Sequence, residues 1–548
     1  MSRWAAALAA FVLAALLNLA YWAEKGRPVD LPEAGADSIA SVSFSPYRSD
    51  ENPLTHITPS LDEISSDLAT LAGHVDAVRT YTSLEGLDSV APFARPLGIK
   101  VMQSAWLGRD PDINEREIRR VIALANRYPD VIDRVIVGNE VILRRDLTPD
   151  QLAGYIRRVK AAIKQPVSYA DVWEFWLKNP QLAAAVDFVT VHILPYWEDD
   201  PVPIEHAIDH VAAVYHKVQA AFPGKPIMIG ETGWPSTGRM RRGALPSLVN
   251  EARFVREFIR FARTEKLDYN VVEAFDQPWK RALEGTVGGH WGIFDAERHA
   301  KFSLSGPVSN DPDWRWHWAL STALAALAGI AAARWRRPLA VLERLVFAGA
   351  AQLFGTLLVL DGILTTTICW TPFGVIAGGL GLVASLILVA LLLDALARGP
   401  DWPGGALPTA EEALNLMRGQ PTPGPNLRAR ILGLLQFGFA VGAAVVTIAL
   451  VIDPRYRDFP SEAFLVAAVG LSGFALWRER RPAVWAPLRE EALLVALLLF
   501  GAAGIMIREG FENSQAIGWS ATALLLALPW SIKLVVRRRA APAPAAAS

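Results

Sequence analysis

The chain has 548 residues, a formal net charge of −1 and a hydrophobic content of 52%. A net charge near zero, without a basic patch interleaved with aromatic residues, speaks against a nucleic-acid-binding protein. The single cysteine, Cys369, excludes an intramolecular disulfide and a metal site built from several cysteines. Length and hydrophobicity together indicate two or more domains, one of them rich in membrane-spanning segments.

The chain begins with an apolar run, residues 4–22, that is long enough to cross a bilayer. A cleaved signal peptide is the alternative interpretation. The sequence that follows the run, AEKGRP, has no small-x-small cleavage pattern. We therefore predict an uncleaved transmembrane anchor over residues 1–29.

Between residues 30 and 312, β-forming runs alternate with amphipathic helical patterns. Among the helical patterns, 113–128 has apolar residues at helical spacing, and 148–163 begins with an N-cap threonine and a proline. Such alternation predicts a parallel sheet, and eight units in roughly 270 residues predict an α/β fold of the (β/α)8 TIM-barrel type. A doubly wound sheet is the alternative, but no glycine-rich phosphate loop follows the first strand. The eight predicted strands are 39–45, 76–82, 99–106, 134–140, 166–170, 187–193, 226–231 and 270–276.

Polar and aromatic side chains collect at the predicted carboxyl ends of these strands, which form the functional face of such a barrel. Asn139 and Glu140 end the fourth strand, and Glu231 ends the seventh. The other candidate substrate-binding residues at this rim are Arg79, Tyr81, His192, Tyr196, Trp197, Trp234, Asp276, Trp279 and Lys280.

Two carboxylates on strands four and seven face each other across a barrel mouth, as the cleavage of a glycosidic bond requires. One carboxyl group protonates the leaving oxygen while the other, ionised, attacks the anomeric carbon. Arg79 would favour the ionised form of its neighbour, and Asn139 can donate to a sugar 2-hydroxyl. For each glutamate considered alone, the alternative interpretation is a structural ion pair with a nearby arginine. For His192, a contact to substrate and a packing role at the rim both stay open. We expect no catalytic metal and no cofactor.

The motifs VGNE (137–140) and IGETGWPS (229–236) resemble those of glycoside hydrolase family 17. The resemblance extends over about residues 36–305. It implies retention of configuration on β-1,3-linked glucans, with Glu140 as general acid/base and Glu231 as nucleophile. This chain departs from the family at Gln277, where the resemblance implies an acidic residue, and at Leu194, where it implies a tyrosine.

Further apolar runs follow the barrel and predict a transmembrane domain of about seven helices over 313–540, before a disordered cytoplasmic tail at 541–548. Arginines concentrate in alternate loops, which places both termini in the cytoplasm and residues 30–312 outside. The predicted spans are about 316–333, 342–363, 370–393, 431–452, 460–477, 492–507 and 517–536.

An anchor, a barrel and a multi-span region together are similar to the bacterial membrane proteins called β-1,6-glucan synthases. That resemblance implies a bacterial inner-membrane protein with a periplasmic barrel. It also implies transglycosylation, in which a sugar hydroxyl takes the glucosyl group from a covalent intermediate and forms a β-1,6 linkage.

An endo-β-1,3-glucanase, a non-catalytic glucan-binding or export protein, and an enzyme for lipid-linked sugars are the alternative functions. The expected partners are a β-glucan and the membrane, and no nucleic acid is expected. Whether a separate glucan synthase supplies the glucan is left open.

Overall fold

The computed structural model describes residues 3–332, 334, 339–403, 407, 409–419, 427–478 and 489–540. The chain divides into two compact units, one over Pro28–Ser309 and the other over Met1–Arg27 with Asn310–Ser548. The tail predicted at 541–548 lies outside the described residues.

The first unit is built on a closed barrel of eight parallel strands. Each strand pairs with the next, and the pair Val42 and Val271 closes the barrel between the first strand and the last. The predicted (β/α)8 fold is confirmed, and every predicted strand overlaps an observed one. The strands are β1 (Val42–Ser43), β2 (Ala77–Arg79), β3 (Lys100–Ala105), β4 (Ile132–Asn139), β5 (Val167–Val172), β6 (Val189–His192), β7 (Ile227–Thr232) and β8 (Asp268–Val271).

Helices connect successive strands, and their ends follow local sequence signals. The helix α5 begins after Thr148, whose Oγ1 accepts a hydrogen bond from the amide of Gln151 while the Gln151 side chain accepts one from the amide of Thr148. This reciprocal capping box, with proline at the first helical position, fixes the helix start where it was predicted. The helices of this unit are α2 (Leu61–Leu71), α3 (Val90–Ala94), α4 (Pro111–Arg127), α5 (Pro149–Ala162), α6 (Trp173–Lys178), α7 (Ala207–Ala221), α8 (Leu248–Glu265) and α9 (Arg281–Glu284).

The strands of the barrel bury both apolar and polar side chains. Met102, Ile136, Ala170 and Met228, from β3, β4, β5 and β7, form one buried cluster with Phe188. A much larger cluster joins the other strand residues to the helices. The sheet is therefore a packed core of the kind that TIM barrels have, and polar groups buried in it, such as Thr190 and Ser168, pair with each other.

The described residues of the second unit are helical apart from their connections. Seven helices of 18 or more residues follow the barrel in the chain, together with the short α13. The helices of this unit are α1 (Arg3–Lys25), α10 (Trp314–Ala332), α11 (Val341–Ile368), α12 (Pro372–Arg398), α13 (Ala410–Met417), α14 (Leu427–Ile452), α15 (Ser461–Arg478), α16 (Arg489–Glu509) and α17 (Ser514–Ala540).

Six of the described helices are long and apolar enough to cross a membrane, namely α1, α11, α12, α14, α16 and α17. The predicted spans 316–333 and 460–477 form as α10 and α15, but neither helix is in this set. Both helices have polar ends, since α10 begins with Trp-Arg-Trp-His and α15 has Glu462 near its start and Arg478 at its end. The number of membrane-spanning helices stays a prediction.

Polar contacts tie α1 to the other helices of its unit. Asn18 donates to the hydroxyl of Ser321 on α10 at 2.9 Å and accepts from the hydroxyl of Thr356 on α11 at 2.7 Å. The indole of Trp22, which is 1% exposed, also donates to Ser321 at 3.2 Å. That α1 is retained and not cleaved stays a prediction, which this packing supports.

Candidate active site

Glu231 lies near the end of β7, and its carboxylate is held by two groups at the end of β2. Its Oε1 accepts hydrogen bonds from Arg79 Nη1 and from the Tyr81 hydroxyl, both at 3.0 Å. The Arg79 side chain is fully buried and donates through Nη2 to Asn139 Oδ1 at 2.5 Å. The Arg79 guanidinium thus positions both Glu231 and Asn139. Because it binds the amide oxygen of Asn139, the amide nitrogen of Asn139 points away from it.

A chain of hydroxyl and amide groups orients Tyr81. Its hydroxyl lies 2.9 Å from Ser43 Oγ as well as 3.0 Å from Glu231. Because a phenol has one hydrogen, donation to Glu231 requires Ser43 to donate to Tyr81. Asn270 Nδ2 donates in turn to Ser43 at 2.8 Å. Burial and the charge of Glu231 raise the pKa of Tyr81 well above its usual value, so the phenol stays protonated.

Glu140 follows β4 in a left-handed backbone conformation, with φ of 52°. Residues other than glycine rarely adopt this conformation, and strained backbone of this kind clusters at active sites. The amide of Glu140 donates to Ala170 O at 2.8 Å, which holds the turn against β5. The side chain points to β6, where its Oε1 lies 3.1 Å from His192 Nδ1.

The protonation of Glu140 depends on His192. Burial by itself would raise the pKa of Glu140, but the hydrogen bond from His192 and the charges of His192, Arg144 and Arg79 hold it below its usual value. A glycosidase acid must carry a proton at its working pH. Glu140 and His192 must therefore hold this proton together.

The two carboxylates lie close to each other. A carboxylate oxygen of Glu140, a ring nitrogen of His192 and a carboxylate oxygen of Glu231 all lie within 4.8 Å of one another. Retaining glycosidases place their carboxyl groups about 5–5.5 Å apart, whereas inverting ones leave about 6.5–9.5 Å for a water molecule. The spacing fits direct attack of one carboxylate on the sugar.

These three residues are also the one group in the described part of the chain whose donors are close enough to share a metal ion. Glu140 and Glu231 already contact the ring nitrogens of His192 at 3.1 and 3.5 Å. The hydrogen bond of Nδ1 with Glu140 and the charge contact of Nε2 with Glu231 account for the grouping, and we assign no metal to it.

Sequence analysis missed a third buried carboxylate beside the cleft. Glu273, which follows β8, is fully buried and accepts a hydrogen bond from Lys280 Nζ at 2.6 Å. Burial raises the pKa of Glu273 against the opposing charge of Lys280, and the charge of Glu231 adds to the increase. Burial lowers the pKa of Lys280, but the negative charges around it, chiefly Glu273 and Glu284, raise it overall. The sequence contained a signal for this residue, because Glu273 is a carboxylate inside the predicted strand 270–276.

Asp276 serves to fix a loop. Its Oδ1 accepts hydrogen bonds from the amide of Gly292 at 2.8 Å and from Lys301 Nζ at 3.0 Å. Lys301 also lies 3.0 Å from Glu251 of α8. The charges of Lys301 and His290 hold the pKa of Asp276 below its usual value, although burial acts in the opposite direction. A substrate contact from Asp276 stays a prediction.

Two predicted aromatic contacts, Tyr196 and Trp234, are fully buried. The Tyr196 hydroxyl donates to the carbonyl of Arg239 at 2.6 Å, and the Trp234 indole donates to the carbonyl of Leu245 at 3.0 Å. The polar atoms of both side chains are thus hydrogen-bonded to the backbone of the protein. Direct sugar contact by either residue stays a prediction, which the burial weighs against.

Trp197 and Trp279 remain partly exposed. Trp197 stacks on Trp291 with ring centroids 6.1 Å apart and planes 23° from parallel. Trp279 donates to Gln277 Oε1 at 2.8 Å, and Tyr47 packs edge-on against its ring. Both indoles keep an accessible surface of the type on which sugar rings stack.

Comparison with known proteins relates the first unit to a family of enzymes. Residues 41–292 match the family model described as the BtgE/BtgC glycoside hydrolase domain. The match spans all eight strands of the barrel.

Several relatives that match this barrel come from fungi. A glucan 1,3-beta-glucosidase of Arthroderma benhamiae is 28% identical over 271 residues, which cover 46% of this chain and 87% of the relative. A protein of the same name from Saccharomyces cerevisiae is 25% identical over 269 residues, covering 45% of this chain and 85% of the relative. A solved structure, an active-site mutant of Rhizomucor miehei beta-1,3-glucanosyltransferase in complex with laminaritriose, is 27% identical with a TM-score of 0.44, covering 50% of this chain and 100% of that chain.

Proposed function

We propose that the barrel is a retaining enzyme for β-1,3-glucan that works through a covalent glucosyl intermediate on Glu231. The observation that carries the proposal is the spacing of Glu140 and Glu231, whose oxygens lie within 4.8 Å of each other. The substrate class follows from the names of the fungal relatives, which are glucan 1,3-beta-glucosidases.

Each side chain of the site has a role in this reaction. Glu231, held by Arg79 and Tyr81, attacks the anomeric carbon as the glycosidic bond breaks. The leaving oxygen receives its proton from Glu140, which then takes a proton from the incoming acceptor. The amide of Asn139, with its oxygen bound to Arg79, directs its N–H groups to a sugar hydroxyl.

We further propose that the acceptor is a sugar hydroxyl and that the product carries a β-1,6 linkage. This finer proposal is supported by the resemblance of the whole chain to bacterial β-1,6-glucan synthases. Hydrolysis by water is the second candidate, and the glucosidase names of the relatives support it.

The test uses the full-length chain in detergent with a linear β-1,3-glucan oligosaccharide that is labelled at its reducing end. Product masses and linkages are followed over time. Products longer than the substrate that contain 1,6 linkages would support transglycosylation, and products that are only shorter would establish the hydrolase.

Two variants accompany this experiment, one expected to be inactive and one as a matched control. Glu231→Gln should stop turnover, whereas Glu174→Gln, the same change at an exposed pair with Lys178, should leave it unchanged. Turnover that survives Glu231→Gln would contradict the covalent mechanism. An unchanged cellular glucan in a Glu231→Gln strain would favour a binding or export protein.

We propose a bacterial inner-membrane location with the barrel in the periplasm and both termini in the cytoplasm. The support is the concentration of arginine in alternate loops between the apolar helices. In a Cys369→Ala background, Ser305→Cys in the barrel should react with a membrane-impermeant maleimide on intact spheroplasts. Arg418→Cys, in a loop expected inside, should react only after lysis. The reverse pattern would overturn the orientation.

A further inference from the structure

His192 lies between the two carboxylates at the end of β6. Its Nδ1 is 3.1 Å from Glu140 Oε1, and its Nε2 is 3.5 Å from Glu231 Oε1. The side chain is 0% exposed, and Nε2 is a buried nitrogen without a hydrogen-bond partner in the described structure. An imidazole donates from both nitrogens only in its charged form. A buried ring with a carboxylate at each nitrogen can therefore hold a proton for either side.

The fold makes room for this ring through Gly230 of β7. A Cβ atom at residue 230 would lie 3.3 Å from Cδ2 of His192 and only 2.4 Å from Cγ2 of Thr190. The carbonyl of Gly230 also accepts a hydrogen bond from Arg79 at 2.9 Å. The position of the ring is thus set by the close packing of β6 against β7.

Charged groups face the ring from several strands. Glu140 follows β4, Asp171 belongs to β5 and Glu231 to β7, while Arg79 of β2 binds Glu231. Burial and the charge of Glu140 raise the pKa of Asp171 to about 6, and the charge of His192 opposes this increase. Two carboxyl groups therefore contact the imidazole, while Asp171, whose carboxylate accepts hydrogen bonds from Tyr169 and Leu143, interacts with it through charge.

We propose that His192 is a positioning residue that shares the acid proton with Glu140, so that the pair delivers it to the leaving group. This inference rests on the proposed retaining function of Glu140 and Glu231. It differs from a substrate contact by His192, because both ring nitrogens face protein carboxylates.

The proton balance of the two steps is as follows. When the glycosidic bond breaks and the bond from Glu231 to the anomeric carbon forms, the shared proton passes to the leaving oxygen. Glu140 is then a carboxylate beside a neutral His192. In the second step the acceptor hydroxyl bonds to the anomeric carbon, the bond to Glu231 breaks, and the hydroxyl proton returns to the pair.

The test compares pH profiles of kcat/KM for full-length wild type and His192→Asn, each in detergent. With a β-1,3-glucan oligosaccharide, the basic limb of the wild type reports loss of the shared proton. In the variant the proton resides on Glu140 alone, so the basic limb should move to lower pH by about one unit or more. At pH values above the new limb, kcat/KM should fall at least about tenfold.

A dinitrophenyl β-glucoside separates this role from a structural one. Its leaving group departs without a proton, so His192→Asn should keep its glycosylation rate within about twofold of wild type. His192→Gln serves as a second variant should the asparagine variant fail to fold. His299→Asn, at an exposed pair with Asp295, is the matched control and should leave both profiles unchanged.

Equal losses on both substrates with an unmoved basic limb would overturn the proton-sharing role and leave His192 as a packing residue. Failure of the proposed function looks different. In that case wild type is inactive on both substrates, or Glu231→Gln retains activity, and the inference about His192 falls with it.

Discussion

The rim of the barrel and the contacts of α1 in the helical unit bury polar groups in opposite ways. The barrel buries charges, and it pairs them: Arg79 with Glu231, Lys280 with Glu273, and Lys301 with Asp276 and Glu251. The helical unit, in its contacts among α1, α10 and α11, buries uncharged amides and hydroxyls such as those of Asn18, Ser321 and Thr356.

This difference indicates which part of the molecule carries the reactive groups. A buried charge requires a partner, and removal of one member leaves the other uncompensated, so such pairs persist where a fixed charge has a use. Hydroxyl and amide contacts between apolar helices contribute less, because each group can find another partner. The barrel rim is therefore the chemical part of the molecule, and the contacts of α1 serve helix association.

The largest expected effect is at Arg79. Arg79→Met leaves the buried carboxylate of Glu231 without its cation and the amide oxygen of Asn139 without its donor. We expect the variant to lose about 3–5 kcal/mol of unfolding free energy and on the order of 10²-fold or more in kcat/KM. Chemical denaturation and oligosaccharide kinetics measure the two effects. A variant with wild-type stability would remove the distinction between the units.

Lys301→Met should have the next largest effect on stability. It leaves Asp276 and Glu251 as buried carboxyl groups without a cation, and we expect a loss of roughly 2–4 kcal/mol. Adding Glu251→Gln to this variant should recover part of the loss, because one uncompensated carboxyl group is removed. Urea unfolding of the single and double variants measures the recovery. An additive further loss would contradict the assignment of this cluster as an ion network.

Glu117 of α4 predicts a pH dependence of barrel stability. Burial raises its pKa to about 7 against hydrogen bonds from Thr82 and Ser83. Because the folded state holds this proton more tightly, the contribution of Glu117 is complete below about pH 4.5 and declines as pH rises through 7. Glu117→Gln should therefore flatten the fall in the thermal midpoint between pH 5 and pH 8.

Glu115 on the same helix is the matched control for this measurement. It is exposed, and the hydrogen bond from Arg158 lowers its pKa. Its stabilising contribution is lost only as pH falls below the ordinary range of a carboxyl group, so Glu115→Gln should keep the wild-type slope between pH 5 and pH 8. Parallel slopes for both variants would exclude Glu117 as the source.

The smallest effect is expected in the helical unit. Asn18→Leu removes the contacts to Ser321 and Thr356 but keeps an apolar side chain of similar size. We expect a loss of about 0.6–1.7 kcal/mol. The thermal midpoint of the full-length chain in detergent measures it. A loss as large as that of Arg79→Met would show that uncharged contacts hold the helices as strongly as ion pairs hold the barrel.

The sequence by itself determined the barrel, because strand and helix periodicities are local properties that alternate eight times. It also located Glu140 and Glu231, since residues at the carboxyl ends of parallel strands reach the same rim. The eight membrane spans stay a prediction: six of the described helices are long and apolar enough to cross a membrane, whereas α10 and α15 have more polar ends.

Only the tertiary structure decided the environment of each side chain. The burial of Tyr196 and Trp234 could not be predicted, because an aromatic ring with a polar atom suits a core and a sugar site equally well. The placement of His192 between two glutamates depends on β4, β6 and β7 meeting at one point and on the space that Gly230 leaves. Such contacts join residues far apart in the chain, and no local pattern encodes them.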